Sequence, residues 1–282
     1  MQDTAENKTI HQKTIKGKVL TIAGSDPSGG AGIQADIKTI SAMGAYAMAA
    51  ITSLTVQNTL GVTRAVPVEA DLVRDQALAC LEDIGADAIK SGMLFDEQII
   101  CTVSDLLKND APGIPYILDP VMVSTSGHAL LAEQARAALT SELLPLATLV
   151  TPNIPEALAL TGMDRIDTVD HMKVAAEKIL ALGAKAVLVK GGHLSDDRLV
   201  DLLAAADGTS ITYESRRIET RHTHGTGCTL ASAIAAGLAQ GMDLAAAVER
   251  ARDYVHLAIQ EAPGFGGGNG PLNHLVSWAV KG

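Results

Sequence analysis

The residues best suited to chemistry in this chain are the six from His224 to Thr229, in the order His-Gly-Thr-Gly-Cys-Thr. Apolar residues then recur at helical spacing from Leu230 to Leu238, which predicts a helix directly after this turn. A helix N-terminus presents backbone N–H groups without intrahelical partners and carries a partial positive charge. The six residues therefore predict an anion site that binds phosphate and contains a thiol, and they suggest phosphoryl transfer.

The thiol of Cys228 has two interpretations. A free cysteine is usually a small buried apolar side chain, and we interpret Cys80 and Cys101 in this way because they lie within helical patterns. At a helix N-terminus the dipole and the amide donors favour a thiolate, so we expect the pKa of Cys228 to lie near neutrality and its side chain to act as a base. The spacing of the three cysteines does not fit a zinc motif, and it is typical of a reducing compartment.

Two carboxylates are candidates for a magnesium site. Glu156 follows Asn153 in the sequence Asn-Ile-Pro-Glu, at the start of a predicted helix, and Asp119 follows an apolar strand. A carboxylate in a first helical turn also suits the helix dipole, so Glu156 could be only a helix cap. A nucleotide-dependent transfer needs oxygen ligands for Mg²⁺, and we expect these two side chains to supply them.

Lys190 ends the apolar run Ala186–Val189 and is followed by Gly191, Gly192 and His193. Glycines allow the backbone to approach a ligand closely. Lys190 is therefore either a solvated cation at the end of a strand or a contact for phosphate, and its sequence context leaves both interpretations open.

A glycine-rich loop from Gly24 to Gly32 follows the first predicted strand and contains Gly-x-Gly-x-x-Ala, beginning at Gly30. This spacing matches a dinucleotide fingerprint, but such a site needs an acidic residue about 20 positions later. The sequence has none between Asp36 and Glu69, and it has no Walker A lysine. We expect the loop to contact a substrate, with a merely flexible turn as the other interpretation.

Short apolar strands alternate with longer helical patterns, which predicts a doubly wound α/β fold with a mostly parallel sheet between helices. The predicted strands are Val19–Ala23, Ala49–Leu54, Ala88–Lys90, Tyr116–Leu118, Leu149–Val150 and Ala186–Val189. The predicted helices are Gly32–Met43, Ala70–Ile84, Asp96–Lys108, Ala132–Ser141, Glu156–Leu160, His171–Leu182, Leu230–Gln240 and Leu244–Gln260. An antiparallel hairpin at the sheet edge is predicted across Asp207-Gly208, from Arg198–Leu203 to Ser210–Tyr213.

The chain has 282 residues and a net charge of -10, which disfavours binding to nucleic acid and to anionic membranes. We expect residues 1–17 to be a mobile polar extension and residues 18–282 to form one domain. No apolar run reaches the roughly 18 residues of a membrane span, and the N-terminus does not resemble a secretory signal. We therefore expect a cytoplasmic protein with a small-molecule partner.

Seven segments in order, from about Val19 onwards, resemble the bacterial hydroxymethylpyrimidine/phosphomethylpyrimidine kinases of the ribokinase-like superfamily. The segments are Ala23 to Asp36, Gln57-Asn58-Thr59, Lys90-Ser91-Gly92-Met93, Asp119-Pro120-Val121-Met122, Thr151 to Glu156, Lys190 to His193, and Thr223 to Thr229. The residues from Gly266 to His274 are similar to the ending of that family.

The resemblance implies a ribokinase-like fold, ATP with Mg²⁺ as the donor system, and two successive phosphorylations of 4-amino-5-hydroxymethyl-2-methylpyrimidine in thiamine biosynthesis. It also implies site residues. On the substrate side these are Gln57 and Asp36, which would hydrogen-bond the pyrimidine, with Gly24, Ala31 and Met93 around it. On the phosphate side they are Asn153, Glu156, Asp119, Lys190 and Thr226, with Gly225, Gly227 and Cys228 forming an anion hole.

The resemblance leaves alternatives open. Pyridoxal kinases share the segment Gly-Thr-Gly-Cys, so a pyridoxal or dual-specificity kinase is the nearest one, although Gln57 favours an aminopyrimidine. A nucleotide-binding regulator without catalysis is another, which Glu156, Lys190 and Cys228 together disfavour. Family members are commonly dimers, so we expect a homodimer. The candidate lid segments are Ser124 to His128 and the glycines near Phe265.

Overall fold

The computed structural model describes residues 15–122, 133–191 and 198–276, and within these ranges nine strands form one sheet. In chain order the strands are β1 Lys18–Ser25, β2 Tyr46–Asn58, β3 Gly61–Pro67, β4 Ala88–Ser91, β5 Tyr116–Leu118, β6 Leu149–Val150, β7 Ala186–Lys190, β8 Arg198–Ala205 and β9 Ser210–Arg216. Their order across the sheet is β3-β2-β1-β4-β5-β6-β7-β8-β9.

The six strands from β2 to β7 in this order pair in parallel, which confirms the mostly parallel sheet. The predicted hairpin is confirmed as β8 and β9, which pair antiparallel across Gly208. A second antiparallel hairpin, β2 with β3, closes the other edge, and the sequence analysis missed it. Residues Gly61–Pro67 are mostly exposed and lack the buried apolar run that marked the other strands.

Eight α-helices lie within the described ranges, and they cover both faces of the sheet. They are α1 Gly32–Ala42, α2 Ala70–Asp83, α3 Glu97–Asn109, α4 Glu133–Ala138, α5 Ile154–Thr161, α6 Val169–Ala181, α7 Thr226–Ala239 and α8 Leu244–Gln260. A π-helical turn, Leu139–Leu143, and a 3₁₀ turn, Leu144–Leu146, continue α4.

Successive strand residues alternate between two apolar cores, one on each face of the sheet. Leu20 and Ile89 pack in the core under α2 to α6, whereas their neighbours Val19 and Ala88 pack in the core under α1, α7 and α8. This alternation explains why the predicted strands read as continuous apolar runs, since parallel strands are buried on both faces.

Helix α7 is built from small residues along its buried length. Five of its fourteen residues are alanine, and Ala233, Ala235 and Ala236 are all inaccessible to solvent. It packs against β1, β4 and β5, and a Cβ added at Gly237 would lie only 2.8 Å from Cβ of Ala247 in α8. The small side chains therefore allow α7 to lie close to both its neighbouring helix and the sheet.

The described chain is already tied to the sheet at its start. The amide of Lys16 donates to the carbonyl of Gly44, and the carbonyl of Gly17 accepts from the amide of Tyr46. The last residues of the predicted N-terminal extension are therefore hydrogen-bonded, and residues 1–14 lie outside the described ranges. Among the described helices, none has the length and apolar character that crossing a bilayer requires.

Candidate active site

A cleft of about 910 Å³ opens at the carboxyl ends of the parallel strands. Ligands collect at this edge in open α/β sheets because loops from several strands converge there. Nearly all of the site residues expected from the sequence line it: Gly24, Ala31, Gln57, Met93, Asp119, Asn153, Glu156, Lys190, Gly225, Thr226, Gly227 and Cys228.

The N-terminus of α7 forms one wall of the cleft. Gly225 is the N-cap residue, in the left-handed region at φ 83°, and offers no side chain to the first-turn amides. A Cβ on Gly225 would overlap the carbonyl oxygen of Gly30, so the turn closes only with glycine. The hydroxyl of Thr226 donates to the carbonyl of Thr223 at 2.7 Å, which fixes the start of the helix. The arrangement leaves amide donors facing a cavity, as an anion site requires.

Lys190 lies directly opposite this helix start. A Cβ placed on Gly227 would be 3.2 Å from the Lys190 ammonium and 3.6 Å from Oδ2 of Asp119. The ammonium lies 3.4 Å from Oδ1 of Asp119, which also accepts from the hydroxyl of Thr151 at 3.1 Å. Burial alone would lower the pKa of Lys190, but Asp119 and Glu156 together raise it, so the side chain is charged. The solvated interpretation of Lys190 is wrong, because its side chain is only 15% exposed.

Glu156 and Asn153 form a capping box at the start of α5. The amide of Asn153 donates to Oε2 of Glu156 at 2.8 Å, and the amide of Glu156 donates to Oδ1 of Asn153 at 2.9 Å. The capping interpretation is therefore correct, and it still leaves Glu156 in the wall of the cleft. Burial raises the pKa of Glu156 to about 7; Lys190 opposes the rise and Asp119 adds to it.

The donor set suits a magnesium ion that is held mainly by phosphates and water. No described group of three or more His, Cys, Asp or Glu side chains is placed to hold a metal by itself. Mg²⁺ usually takes one or two protein carboxylates and completes its shell with substrate oxygens and water. Asp119 and Glu156 line the same cleft and interact electrostatically, so two such carboxylates are available.

The predicted pKa of Cys228 is wrong for the ligand-free protein. Burial raises the pKa of its thiol to about 12, Lys90 lowers it, and Asp36 and Asp119 raise it further. A hydrogen bond from the amide of Gly32 lowers it only partly. Removal from water and two nearby carboxylates therefore outweigh Lys90 and Gly32, which act in the expected direction.

The other end of the cleft is shaped by Gly24 and Met93. A Cβ on Gly24 would lie 2.6 Å from Oγ of Ser53 and 3.4 Å from Sδ of Met93, so a larger residue at this position would force Ser53 to move. The carbonyl of Met93 accepts from the hydroxyl of Thr52 at 2.6 Å. Gln57 projects from β2 into the same region, with Ala31 from the loop before α1. At this end the apolar side chains of Met93 and Ala31 are combined with the polar amide of Gln57, which suits a heteroaromatic ring.

Asp36 is the exception among the expected site residues. Its carboxylate is inaccessible to solvent and accepts hydrogen bonds from Thr21 at 2.6 Å, Ser232 at 2.7 Å and the Lys90 ammonium at 2.9 and 3.0 Å. It is not among the described residues that line the cleft. Asp36 therefore lies beneath the floor of the cleft, and the expectation that it hydrogen-bonds the pyrimidine directly is wrong.

The sequence matches the phosphomethylpyrimidine kinase family over residues 26–273. The chain belongs to this family. It is 48% identical to a hydroxymethylpyrimidine/phosphomethylpyrimidine kinase of Rhizobium meliloti over 261 residues, which are 92% of this chain and 97% of that protein. Among solved structures, a phosphomethylpyrimidine kinase of Clostridium difficile is 44% identical, with a TM-score of 0.77. The match covers 86% of this chain and 100% of that protein.

A pyridoxal kinase of Bacillus subtilis, solved as an ADP complex, is also similar. It is 39% identical with a TM-score of 0.83, over 92% of this chain and 97% of that protein. These similarities confirm the expected ribokinase-like architecture. The range that matches the phosphomethylpyrimidine kinase family contains every expected site residue except Gly24, which lies just before it.

This member of the phosphomethylpyrimidine kinase family has further cleft residues that sequence reasoning did not assign. Asp26 and His224 lie in quoted motifs, but their pairing joins positions 198 residues apart and only the fold reveals it. Arg217, His256 and Ile259 also line the cleft. The last two are three residues apart on α8, a helical spacing that also fits ordinary core packing. Of the other expected residues, His193 and Ser124 to His128 lie outside the described ranges.

Proposed function

We propose that this protein transfers the γ-phosphoryl group of ATP to the hydroxymethyl group of 4-amino-5-hydroxymethyl-2-methylpyrimidine, and then phosphorylates the monophosphate to the diphosphate, in thiamine biosynthesis. The observation that carries the proposal is that one cleft contains both Lys190 with the start of α7, which would bind phosphate, and Gln57 with Met93, which would bind the ring.

Lys190 and the amides at Gly227 and Cys228 are the groups that would neutralise charge on the transferring phosphoryl group. Phosphoryl transfer depends mainly on positioning and electrostatic stabilisation, because its transition state is loose and strongly charged. Thr226 and Asn153 also line the cleft and would contact the phosphates. Mg²⁺ would be held by Asp119 and Glu156, where it would neutralise phosphate charge.

The two phosphorylations place different demands on Cys228. In the first, the hydroxymethyl oxygen forms the bond to phosphorus, the bond from phosphorus to the bridging oxygen of ADP breaks, and the hydroxyl proton must leave. Cys228 can accept that proton only if substrate binding lowers its pKa, a direction in which Lys90 already acts. In the second, the attacking phosphate is largely ionised because its second pKa is about 6, so no base is needed.

The decisive experiment measures ATP consumption and identifies the products by mass spectrometry, with the aminopyrimidine and pyridoxal as alternative acceptors. We expect formation of the pyrimidine monophosphate followed by the diphosphate. Phosphorylation of pyridoxal alone would favour the pyridoxal kinase alternative. No phosphorylation of either acceptor would support a binding protein without catalysis.

The magnesium proposal has its own test. Glu156→Gln keeps the side-chain volume but removes the carboxylate, so we expect activity of the variant to require more Mg²⁺. A matched control is Glu142→Gln, which changes an exposed carboxylate paired with Lys108. An Mg²⁺ titration that is the same for wild type and Glu156→Gln would contradict a metal-linked role.

A cytoplasmic homodimer completes the proposal. The β2–β3 hairpin carries exposed apolar side chains, including Leu54, which is 56% exposed, and its cross-strand partner Val66, which is 42% exposed. This face is a candidate for contact between two copies, since large apolar side chains are seldom left in water on adjacent strands. Light scattering should give the mass of a dimer, and Leu54→Glu should shift the protein towards monomer.

A further inference from the structure

Three side chains form a chain of contacts along the ring-binding end of the cleft. Nε2 of His224 lies 2.8 Å from Oδ2 of Asp26 and 3.2 Å from the terminal amide of Gln57, at the atom assigned as Nε2. The side chains of Asp26 and His224 are 3% and 8% exposed. A Cβ on Gly30 would lie only 2.4 Å from Cδ2 of His224, so the imidazole is confined between two loops.

Asp26 is surrounded by donors. Oδ1 accepts from the amide and the hydroxyl of Ser28 at 2.9 and 2.7 Å, and Oδ2 accepts from the amide of Ala31 at 2.8 Å. Burial alone would raise the pKa of Asp26, but hydrogen bonds from His224 and Ser28 bring it below its ordinary value. Asp26 is therefore ionised, and an ionised carboxylate only accepts. The fourth donor must be His224, so Nε2 of His224 carries a proton.

A protonated Nε2 cannot accept a hydrogen bond from the NH₂ group of Gln57. The two terminal atoms of a glutamine side chain have nearly the same size, so their identity is set by what their neighbours can donate and accept. The atom of Gln57 that faces His224 must then be the carbonyl oxygen.

Thr55, on the other side of Gln57, requires the same orientation. Its hydroxyl lies 2.9 Å from the carbonyl oxygen of Ser25, which can only accept, so the single hydroxyl hydrogen is used there. The other amide atom of Gln57 lies 3.3 Å from this hydroxyl. Because the hydroxyl can then only accept from Gln57, the atom facing it must be the NH₂ group.

We propose that the Asp26–His224 pair, together with Thr55, fixes the Gln57 amide with its carbonyl towards His224 and its NH₂ towards Thr55, and thereby determines specificity for an amino-substituted pyrimidine. The proposal rests on the proposed function, in which Gln57 faces the ring. Asp26 and His224 are positioning residues here, because they act through Gln57.

The discrimination follows from the order of donors and acceptors. In the 4-aminopyrimidine, ring atom N3 accepts and the neighbouring amino group donates; in the corresponding 4-oxopyrimidine, N3–H donates and the oxygen accepts. An amide that is free to rotate by half a turn pairs with either ring. An amide that is fixed pairs with only one, and the other ring leaves buried polar groups unpaired.

The main experiment measures kcat/KM for the 4-amino substrate and for its 4-oxo analogue. We expect wild type to prefer the amino substrate strongly. Asp26→Asn removes the carboxylate that can only accept, so Nε2 of His224 is no longer required to carry the proton and the Gln57 amide is no longer fixed. We therefore expect the preference to fall by about tenfold or more, mainly through KM. Thr55→Val should lower the preference in the same way, whereas the control Thr55→Ser, which keeps the hydroxyl, should retain it. Preferences unchanged in both Asp26→Asn and Thr55→Val would overturn the proposal.

A second measurement tests the orientation without catalysis or an altered fold. In ¹⁵N-histidine-labelled wild-type protein, we expect a slowly exchanging proton on Nε2 of His224, assigned by its loss in His224→Asn. A His224 ring protonated only on Nδ1 would overturn the proposal. If the protein phosphorylated no aminopyrimidine but showed this proton, the proposed function would fail while the orientation of Gln57 would stand.

Discussion

The Lys90 ammonium lies 2.9 Å from Oδ2 of Asp36, and neither side chain is accessible to solvent. This ion pair lies beneath the floor of the cleft, where its charges act on Cys228 in opposite directions. Burial alone would lower the pKa of Lys90, but Asp36 raises it, so the ammonium is retained. The pair therefore couples the stability of the fold to the electrostatics of the site.

Removing one partner of this pair should destabilise the protein strongly. Lys90→Met leaves the Asp36 carboxylate buried without its cation, and we expect a loss of about 3–5 kcal/mol in the free energy of unfolding. Urea denaturation measures it. The control Lys108→Met breaks an exposed pair with Glu142 and should cost no more than about 1 kcal/mol. Equal losses for the two variants would contradict the buried pair.

Adding a methyl group at Gly227 should impair catalysis with little effect on the fold. The new Cβ would lie 3.2 Å from the Lys190 ammonium, which must then move away from the start of α7. We expect Gly227→Ala to lower kcat/KM by about 10- to 100-fold, since small displacements of positioned groups are costly. In the control Gly267→Ala the Cβ would meet only Cδ2 of Leu60, at 3.7 Å, and activity should be unchanged.

Glu156 should make the ligand-free protein less stable at alkaline pH. Its pKa rises from 4.5 to about 7 on folding, so the folded state holds a proton that the unfolded state releases. The resulting stabilisation is complete below about pH 4.5 and is lost as the pH rises through about 7. We therefore expect Glu156→Gln to be more stable than wild type at pH 8, by at most about 3 kcal/mol. Thermal melts in a chelator should show the difference shrinking towards acid pH.

Cys228 should be unreactive in the ligand-free protein. A thiol with a pKa of about 12 is almost entirely protonated at neutral pH. In a variant with Cys80→Ser and Cys101→Ser, we expect alkylation by iodoacetamide to accelerate with pH without reaching a plateau below pH ~10. A plateau near pH 7 would show that the thiol ionises more easily than the structure indicates.

The two phosphorylations should respond differently to the loss of Cys228. If binding lowers its pKa enough for a base role, Cys228→Ala slows the first step far more than the second, because only the first nucleophile must lose a proton. Single-turnover rates with each acceptor measure this difference. Equal losses would assign Cys228 to shaping the anion site instead.

Local sequence patterns were sufficient for most of the fold. Apolar runs predicted the buried strands because burial on both faces selects apolar residues at every position. Three helix starts were predicted late: α5 begins at Ile154 instead of Glu156, α6 at Val169 instead of His171, and α7 at Thr226 instead of Leu230. The first turns of α5 and α6 follow capping residues, and the first turn of α7 is Thr-Gly-Cys-Thr, which lacks the apolar spacing of the rest of the helix. The edge strand β3 was missed because exposure removes its apolar signal.

The site was predictable at the level of motifs and less so at the level of side-chain contacts. Glycine pairs, strand-end polar residues and the family resemblance together identified twelve residues of the cleft lining, whereas others such as Arg217 and His256 were not assigned. The burial of Asp36 depends on Lys90, 54 residues away, and the Asp26–His224 contact depends on the closure of two loops. The pKa of Cys228 was mispredicted because a helix N-terminus is a local effect, whereas burial and the nearby carboxylates are set by the whole fold.

The alanines of α7 have a consequence that reaches beyond packing. Because α7 packs close to the strands, its N-terminus lies beside Lys190. A larger side chain, such as leucine at position 233, would push the helix away from the sheet and shift its N-terminus. We therefore expect a substitution at Ala233, two turns from the start of α7, to weaken phosphate binding although the residues proposed to contact phosphate are unchanged. The size of the buried side chains of α7 should therefore limit which substitutions preserve activity, as the residues that line the cleft also do.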